Sequence, residues 1–371
     1  MSFLTTLSFL FLIIYGVTIF SFALGWLKIN PFTHPDLSAP LKVGVIVACR
    51  NEEKTIANLI QSLLQQDYPS NKTELIFIDD HSEDHTYKIL KKYAKKNNQL
   101  TVHQNPGHRQ GKKEAIAFGI QHCSSDIIIT TDADCRMGEK WLSGLVNYYT
   151  RYRPKIIVAP VVLAPARSIF EKLQALEFTS LILSGAGAIG INKPILCNGA
   201  NLLFEKSLFN PKEQHQQYAS GDDIFLLLQA KKKDSRDIHF IKSRDAIVYT
   251  NPTQTLSAFF HQRIRWTSKS KAYRDFDLII TAVTVAASNL LLTFWLIHTI
   301  FFPNEWHIPV LLFTIKSLAD LFILIPGTRY FHQSLLLWLF LPLQIIYPFY
   351  IVTTACMGWL ANFSWKGRKL R

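Results

Sequence analysis

Apolar residues are spread unevenly along this chain. Residues 3–27 form a nearly uncharged apolar run, and apolar residues dominate again from about Leu278 to Leu360. A helix that crosses a bilayer needs roughly 20 apolar residues, so the first run is long enough. A secretory signal is the competing reading. The run has no basic leader and no obvious small-residue cleavage site before Lys28, which favours an uncleaved anchor. Turn residues at Pro303-Asn304-Glu305 and Gly327-Thr328-Arg329-Tyr330 divide the C-terminal region into spans expected near 278–302, 308–326 and 335–360. Lys316 and Asp320 stand four apart in the second and so share a helical face. A lone charge at mid-bilayer costs roughly 2.5–3.5 kcal/mol, which predicts that these two pair or face a bundle interior.

Between the apolar ends the pattern changes to short β-branched runs alternating with helical periods. Val43-Gly44-Val45-Ile46-Val47-Ala48 reads as a buried strand, followed by Cys49-Arg50-Asn51-Glu52-Glu53. Asn51 reads as an N-cap, and Ile56, Leu59, Ile60, Leu63 and Leu64 follow a 3.6-residue period. Glu74–Ile78 is a second strand. A helix near 83–97, a strand near 100–104 and a helix near 111–122 come next. The run Ile127-Ile128-Ile129-Thr130-Thr131 then reads as a strand buried on both faces. This alternation predicts right-handed βαβ units and a mostly parallel sheet.

The strand ends carry the chemistry. Asp79-Asp80-His81-Ser82 ends the second strand, and Asp132-Ala133-Asp134 follows the Ile127 strand. Ligands of open α/β sheets bind beyond the carboxyl ends of the strands. Paired carboxylates there call for a hard cation shared with a diphosphate, since Mg²⁺ uses few protein carboxylates and takes phosphate and water as its other ligands. No G-x-G-x-x-G follows the first strand and there is no Walker-type P-loop, which disfavours a dinucleotide fold and P-loop ATP hydrolysis. The loop Pro106–Lys113 brings Arg109 and Lys112 toward the same edge, where either cation could neutralise a diphosphate. Further on, Cys197-Asn198-Gly199-Ala200-Asn201 offers amide side chains to sugar hydroxyls, or is a plain turn. Ser220-Gly221-Asp222-Asp223 places two carboxylates at a helix N-terminus. Gln262-Arg263-Ile264-Arg265-Trp266 lies in a basic stretch just before the second apolar region, where a helix would suit a membrane interface.

Charge and cysteines narrow the picture. A net charge of +13 raises nucleic acid as a partner. The cations are scattered, form no recognised reading motif and flank the apolar runs, so anionic headgroups explain them better. The positive-inside rule puts the middle segment in the cytoplasm. Three C-terminal spans would then leave the basic tail Lys366–Lys369 outside, unless the Pro342/Pro348 segment is re-entrant or the rule fails. Five cysteines without C-x-x-C or paired spacing argue against a disulfide framework and a zinc site.

Arg50-Asn51-Glu52, Asp79-Asp80-His81-Ser82, Gly111-Lys112, Asp132-Ala133-Asp134, Asp222-Asp223 and Gln262-x-x-Arg265-Trp266 stand in one order over about residues 41–270. This set resembles the membrane-bound family 2 glycosyltransferases of the GT-A fold: cellulose, chitin, hyaluronan and poly-N-acetylglucosamine synthases and ceramide glucosyltransferases. The resemblance implies an α/β, Rossmann-like GT-A domain with a mostly parallel sheet, flanked by transmembrane helices. It implies that Asp79 and Asp80 hold the uracil and ribose of a UDP-sugar, with Arg50, Glu52, Lys112 and Asp132 around the donor. Asp134, with Asp132, is implied as the ligand of Mg²⁺ or Mn²⁺, and Asp223, beside Asp222, as the general base. Gln262 and Arg265 are implied to close over the diphosphate. Trp266 is implied as a platform for the acceptor, whose hydroxyls Asn198 and Asn201 are the candidates above to bind. One departure is Asp222, where the family more often has Glu.

These readings predict an N-terminal anchor (1–29), a cytoplasmic catalytic domain (30–275, with an interfacial helix near 256–275) and a C-terminal membrane region with a basic tail (276–371). The expected reaction is inverting, metal-dependent sugar transfer from a UDP-sugar at the cytoplasmic face of the inner membrane. The acceptor is a polysaccharide or a lipid: the Gln262–Trp266 element leans toward polymer, while few spans offer a narrow route for one. A ceramide-glucosyltransferase-like glycolipid synthase is the alternative, and a non-catalytic nucleotide-sugar-binding subunit of a synthase complex is a different class. The retained Asp134 and Asp223 speak against that last reading. Nucleic acid is not an expected partner.

Overall fold

The computed structural model describes residues 3–33, 40–106, 111–210, 222–268, 272–360, 363–365 and 368–370. The chain divides into two compact units. One holds the sheets and comprises residues 29–164, 196–251 and 364–371; the other is helical and comprises residues 1–28, 165–195 and 252–363. This grouping differs from the expected 30–275 domain. Residues 165–195 and 252–275 go with the terminal helices.

In the sheet-bearing unit, β1 (Val43–Cys49), β2 (Thr73–Asp79), β3 (Leu100–Gln104) and β4 (Ile127–Thr130) run parallel in the order β3-β2-β1-β4. Helices α2 (Ile56–Leu64), α3 (Thr86–Ala94) and α4 (Lys112–His122) make the crossovers. β1 and β4 are apolar and almost wholly buried, as strands covered on both faces must be. Beyond β4 the sheet continues through β8 (Leu202–Glu205), antiparallel to both neighbours, then β6 (Ile156–Val158) and β9 (Ile238–Phe240). A small second sheet joins β5 (Arg136–Met137), β10 (Val248–Thr250) and β7 (Val161–Leu163). The mostly parallel α/β sheet is as expected. Asn51 is not the N-cap of α2: that place is taken by Thr55, and Asn51 turns through a left-handed φ of 52°.

In the helical unit, α1 (Phe3–Lys28), α9 (Phe276–Phe301), α10 (His307–Tyr330) and α11 (Phe340–Leu360) fall close to the expected spans. The expected break at Gly327 is absent, and α10 continues to Tyr330. Gly327 is instead a contact point, since a Cβ there would lie 2.1 Å from Leu183 Cδ1 of α6 (Ile169–Gly190). With α6, five helices among the described residues are long and apolar enough to cross a membrane. The sequence pattern hides α6, because its best window has a mean hydropathy of 1.2 against 2.3 for α1. The chain enters α6 from the sheet-bearing unit and re-enters that unit after Ile195. A single full crossing by α6 would therefore put parts of one sheet on opposite sides of a bilayer.

Two sets of polar groups inside the helical unit answer one another. Lys316 Nζ lies 2.8 Å from Asp320 Oδ2 and donates to Gln344 Oε1 at 2.9 Å, while Tyr15 donates to Asp320 Oδ1. The pairing expected of Lys316 and Asp320 is present, with α1 and α11 contributing. Trp295 Nε1 donates to Ser8 Oγ at 2.9 Å beside the apolar cluster Leu12, Leu292, Trp295 and Leu312.

Candidate active site

Parallel strand register sets the site. Cys49 is level with Asp79, and Asp79 with Gln104, so the residues after β1, β2 and β3 emerge at one edge of the sheet. Thr130 ends β4 level with Ile46, which brings Asp132 and Asp134 out at the same edge. The turns after β1 and β2 are locked together. Arg50 is buried; its Nη1 donates to the carbonyls of Asp80 and His81 at 2.9 Å, and its Nη2 to Glu83 at 3.0 Å. Asn51 N–H donates to Ser82 Oγ, and Glu83 N–H donates to Asn51 Oδ1. These bonds hold His81 in a left-handed conformation (φ 57°), uncommon for a residue with a Cβ. Arg50 thus builds the turn that presents Asp79 and Asp80.

The two carboxylates of that turn differ. Asp79 is fully buried; its Oδ2 accepts from Ser82 N–H at 3.3 Å, and its Oδ1 has no hydrogen-bond partner among the described residues. A buried acceptor left without a donor is rare in folded proteins and is suited to an incoming N–H. Asp80 accepts from Asn105 Nδ2 at 2.7 Å and from Gly111 N–H at 3.1 Å, so it ties β2 to the start of α4. The first residue of α4, Lys112, pairs with Asp132 Oδ1 at 2.5 Å. Arg109 lies outside the described residues.

Asp134 accepts from Thr250 Oγ1 at 3.0 Å. Burial, then the neighbouring charges of Asp132 and Glu52, push its carboxyl up to about 6, against the Thr250 bond, which lowers it. Three carboxylates therefore converge, with Lys112 paired to Asp132. Among the described residues no cluster of three or more His, Cys, Asp or Glu side chains is arranged to enclose a metal. Two neighbouring aspartates fit a divalent ion that draws its other ligands from phosphate and water.

Asp223 starts the first turn of α7 (Asp222–Lys233), with its Oδ2 accepting from Gly199 N–H at 3.0 Å. The Gly199 carbonyl accepts in turn from Thr130 Oγ1 at 2.8 Å. The side chain of Asp222 lies outside the described residues. Asn198 spends its Oδ1 on Ala200 N–H, shaping the turn that carries Gly199. Asn201 corrects an expectation. It is fully buried, accepts from Trp141 Nε1 and donates to the carbonyls of Pro160 and Ala246, which leaves no outward amide group for an acceptor sugar.

The family model for "glycosyl transferase family group 2" matches residues 127–365, and that for "glycosyl transferase family 2" matches residues 44–208. The chain belongs to the family 2 glycosyltransferases. Its fold is GT-A: a mannosyltransferase from Pyrobaculum calidifontis, solved with GDP-Man and Mn²⁺, superimposes with a TM-score of 0.60 at 17% identity over 96% of this chain and 97% of that one. A β-monoglucosyldiacylglycerol synthase of Trichormus variabilis is 25% identical over 71% of this chain and 57% of its own length. A poly-β-1,6-N-acetyl-D-glucosamine synthase of Staphylococcus epidermidis is 25% identical over 60% of this chain and 53% of its own. A 4,4'-diaponeurosporenoate glycosyltransferase of Staphylococcus haemolyticus is 34% identical over 36% and 35%. The glycosyltransferase thus spans a third to just over half the length of these relatives.

The remaining expected residues of this glycosyltransferase lie in α8 (Leu256–Thr267) of the helical unit. Gln262, Arg265 and Trp266 are partly buried. Between them Arg263 is fully committed inward, paired with Glu177 of α6. Its guanidinium lies 4.2 Å from the Trp266 ring centroid and 4.9 Å from that of Phe259. Sequence reasoning passed over Arg263 and Glu177. The available signal was Glu177 itself, a lone acid within the apolar stretch Ala175–Ile191, which calls for a buried partner.

Proposed function

We propose that this glycosyltransferase moves a sugar from a UDP-sugar to a hydroxyl of a membrane lipid, with inversion, at the cytoplasmic face of the inner membrane. The observation that carries the reading is the tether Thr130–Gly199–Asp223. It holds one carboxylate beside the end of the strand that delivers Asp132 and Asp134. In this reading Asp79 Oδ1 accepts an N–H of the nucleobase, and Asp80 and Arg50 keep that turn in shape. Lys112 exchanges Asp132 for the diphosphate. The resemblance assigns Gln262 and Arg265 to the diphosphate and Trp266 to the acceptor. Asp134 and Asp132 would hold Mg²⁺ or Mn²⁺, which supplies charge neutralisation of the leaving diphosphate. Asp223 takes the proton of the attacking hydroxyl as the new C1–O bond forms and the bond to phosphate breaks on the opposite face. An α-linked donor then yields a β-linked product.

Two observations favour a lipid acceptor. The relative matched over the largest share of this chain among those above is a glucosyldiacylglycerol synthase. The buried Tyr15–Asp320–Lys316–Gln344 cluster of the helical unit also spends its polar groups on one another, where a polymer passage would need a wet lining. The second reading is polysaccharide synthesis, favoured by the likeness to a poly-N-acetylglucosamine synthase and by the Gln262–Trp266 element. A synthase-complex partner belongs to that reading.

The test is nucleotide release by the detergent-solubilised protein from UDP- and GDP-sugars, with Mn²⁺, Mg²⁺ or EDTA and native membrane lipids as acceptor. Metal-dependent turnover of one UDP-sugar into a chloroform-soluble labelled product is expected. An ethanol-insoluble polymer would select the second reading, and turnover of GDP-mannose alone would overturn the UDP assignment.

A further inference from the structure

Helix α8 carries three side chains that the proposed function uses; it packs against α11, and polar side chains of α6 bond to it and to the segment just ahead of it. Gln174 and Glu177 stand three apart on α6, on one helical face, and each is 3% exposed. Gln174 Nε2 donates to the carbonyl of Thr253 at 2.9 Å, and its Oε1 accepts from Thr253 N–H at 3.1 Å and from Thr253 Oγ1 at 2.7 Å. Thr253 is three residues ahead of α8. One turn further along α6, Glu177 pairs with Arg263 in the middle of α8, and Tyr350 of α11 donates to the other Glu177 oxygen at 3.4 Å.

The side chains that α8 buries are Phe259, Arg263 and Ile264, with Phe259 and Arg263 one turn apart on one helical face and the Arg263 guanidinium over the Trp266 ring. Gln262 and Arg265, three apart, share a neighbouring face. A helix is a rigid body about its axis, so fixing the buried side chains fixes where Gln262 and Arg265 point. Apolar packing alone would tolerate a small rotation. An ion pair between two buried groups tolerates far less, because a displaced charge is left without its partner away from water.

We propose that Glu177 and Arg263 are positioning residues for transfer: they lock the rotation of α8 and thereby the presentation of Gln262, Arg265 and Trp266. The inference rests on the reading that α8 serves the donor diphosphate and the acceptor. It adds that the setting of this helix is dictated by α6 and α11.

The experiment compares the full-length parent in detergent with Arg263→Met, Glu177→Gln and the double variant Glu177→Gln/Arg263→Met, alongside Gln262→Ala and Arg265→Ala. UDP release is measured with UDP-glucose or UDP-N-acetylglucosamine, whichever the parent turns over, and thermal midpoints are recorded. The single variants strand one buried group and are expected to melt early. The double variant removes both charges and is expected to fold with a midpoint near that of the parent, since neutral replacement of a whole buried pair is tolerated. Its kcat/KM is nevertheless expected to fall on the order of 10²-fold, the scale of a misplaced reacting group. Arg263→Lys, which keeps charge but loses the planar stack on Trp266, is expected to recover part of that loss. A folded double variant with parent KM and kcat overturns the positioning role, leaving the pair a matter of stability. If Gln262→Ala and Arg265→Ala also keep parent kinetics, the assignment of α8 to the donor fails instead.

Discussion

The main-chain N–H of Gly199 donates to Asp223 Oδ2 at 3.0 Å, while the carbonyl of Gly199 accepts from Thr130 Oγ1 at 2.8 Å. One residue, through its two flanking peptide groups, therefore fixes the candidate base relative to the strand that carries Asp132 and Asp134. An Asp223→Asn variant keeps an oxygen for Gly199 but cannot take a proton from a hydroxyl. It is expected to fold, to bind UDP with parent affinity and to lose roughly 10²–10⁴-fold in kcat. Calorimetric UDP binding beside product formation checks both halves. A variant with parent turnover removes Asp223 from the chemistry.

Asp132, Asp134 and Glu52 bring three negative charges together at the strand ends, with Lys112 on Asp132. Activity is expected to vanish with EDTA and to return on adding Mn²⁺ or Mg²⁺. Asp134→Asn, which removes a charge from the Thr250-anchored side chain, is expected to raise the metal concentration for half-maximal activity at least about tenfold, as for loss of one coordinating or orienting group. Lys112→Ala is expected to raise the donor KM while leaving the metal requirement unchanged. Full activity in EDTA would rule out the metal.

Much of this was legible in the sequence because short-range physics writes it there. Alternating apolar runs fix buried parallel strands, and acidic residues after two of them mark the ligand edge. Which of two adjacent carboxylates keeps a buried oxygen without a hydrogen-bond partner among the described residues was not legible: Asp79 and Asp80 are equivalent as letters, and tertiary donors from Asn105 and Gly111 separate them. Asn201 misled for the same reason, since its amide is consumed by Trp141, Pro160 and Ala246, each more than thirty residues away. Helix α6 was hidden because its polar residues dilute the hydropathy signal, yet Gln174 bonds the segment ahead of α8 and Glu177 pairs with Arg263 within it.

Away from the site, Glu74 joins the start of β2 to the loop before β4. Burial raises its carboxyl, but Lys42, the hydroxyl and N–H of Ser124 and the Ser125 hydroxyl outweigh burial and bring it down to about 2. An unfolded Glu titrates near 4.3. The folded state thus holds its proton less tightly, and the stabilisation is complete above that value and lost as pH falls toward 2. Glu74→Gln is expected to lower the thermal midpoint at pH 7 and to converge on the parent as the pH is taken below about 4. Equal midpoints at pH 7 would mean that these bonds contribute nothing net.

Helices α1 and α6 approach through bare backbone. A Cβ on Gly187 would lie 2.0 Å from the carbonyl oxygen of Phe22, and one on Gly25 would lie 2.0 Å from that of Gly187. Small residues allow such approaches where no hydrophobic effect drives helices together in lipid. Because the obstructing atoms are backbone, no rotamer change relieves the clash, and the helices must separate. Gly187→Ala is expected to cost at least the 1–3 kcal/mol typical of overpacking and to lower the detergent melting midpoint. Gly16→Ala is the matched control, since nothing lies within 4 Å of a Cβ there. On helix propensity alone that change is neutral to favourable by up to about 1 kcal/mol. A Gly187→Ala protein that melts with the Gly16→Ala protein would show that α1 and α6 do not meet through these glycines. An early-melting Gly187→Ala protein would tie the seating of α6, and through Glu177 that of α8, to the N-terminal helix.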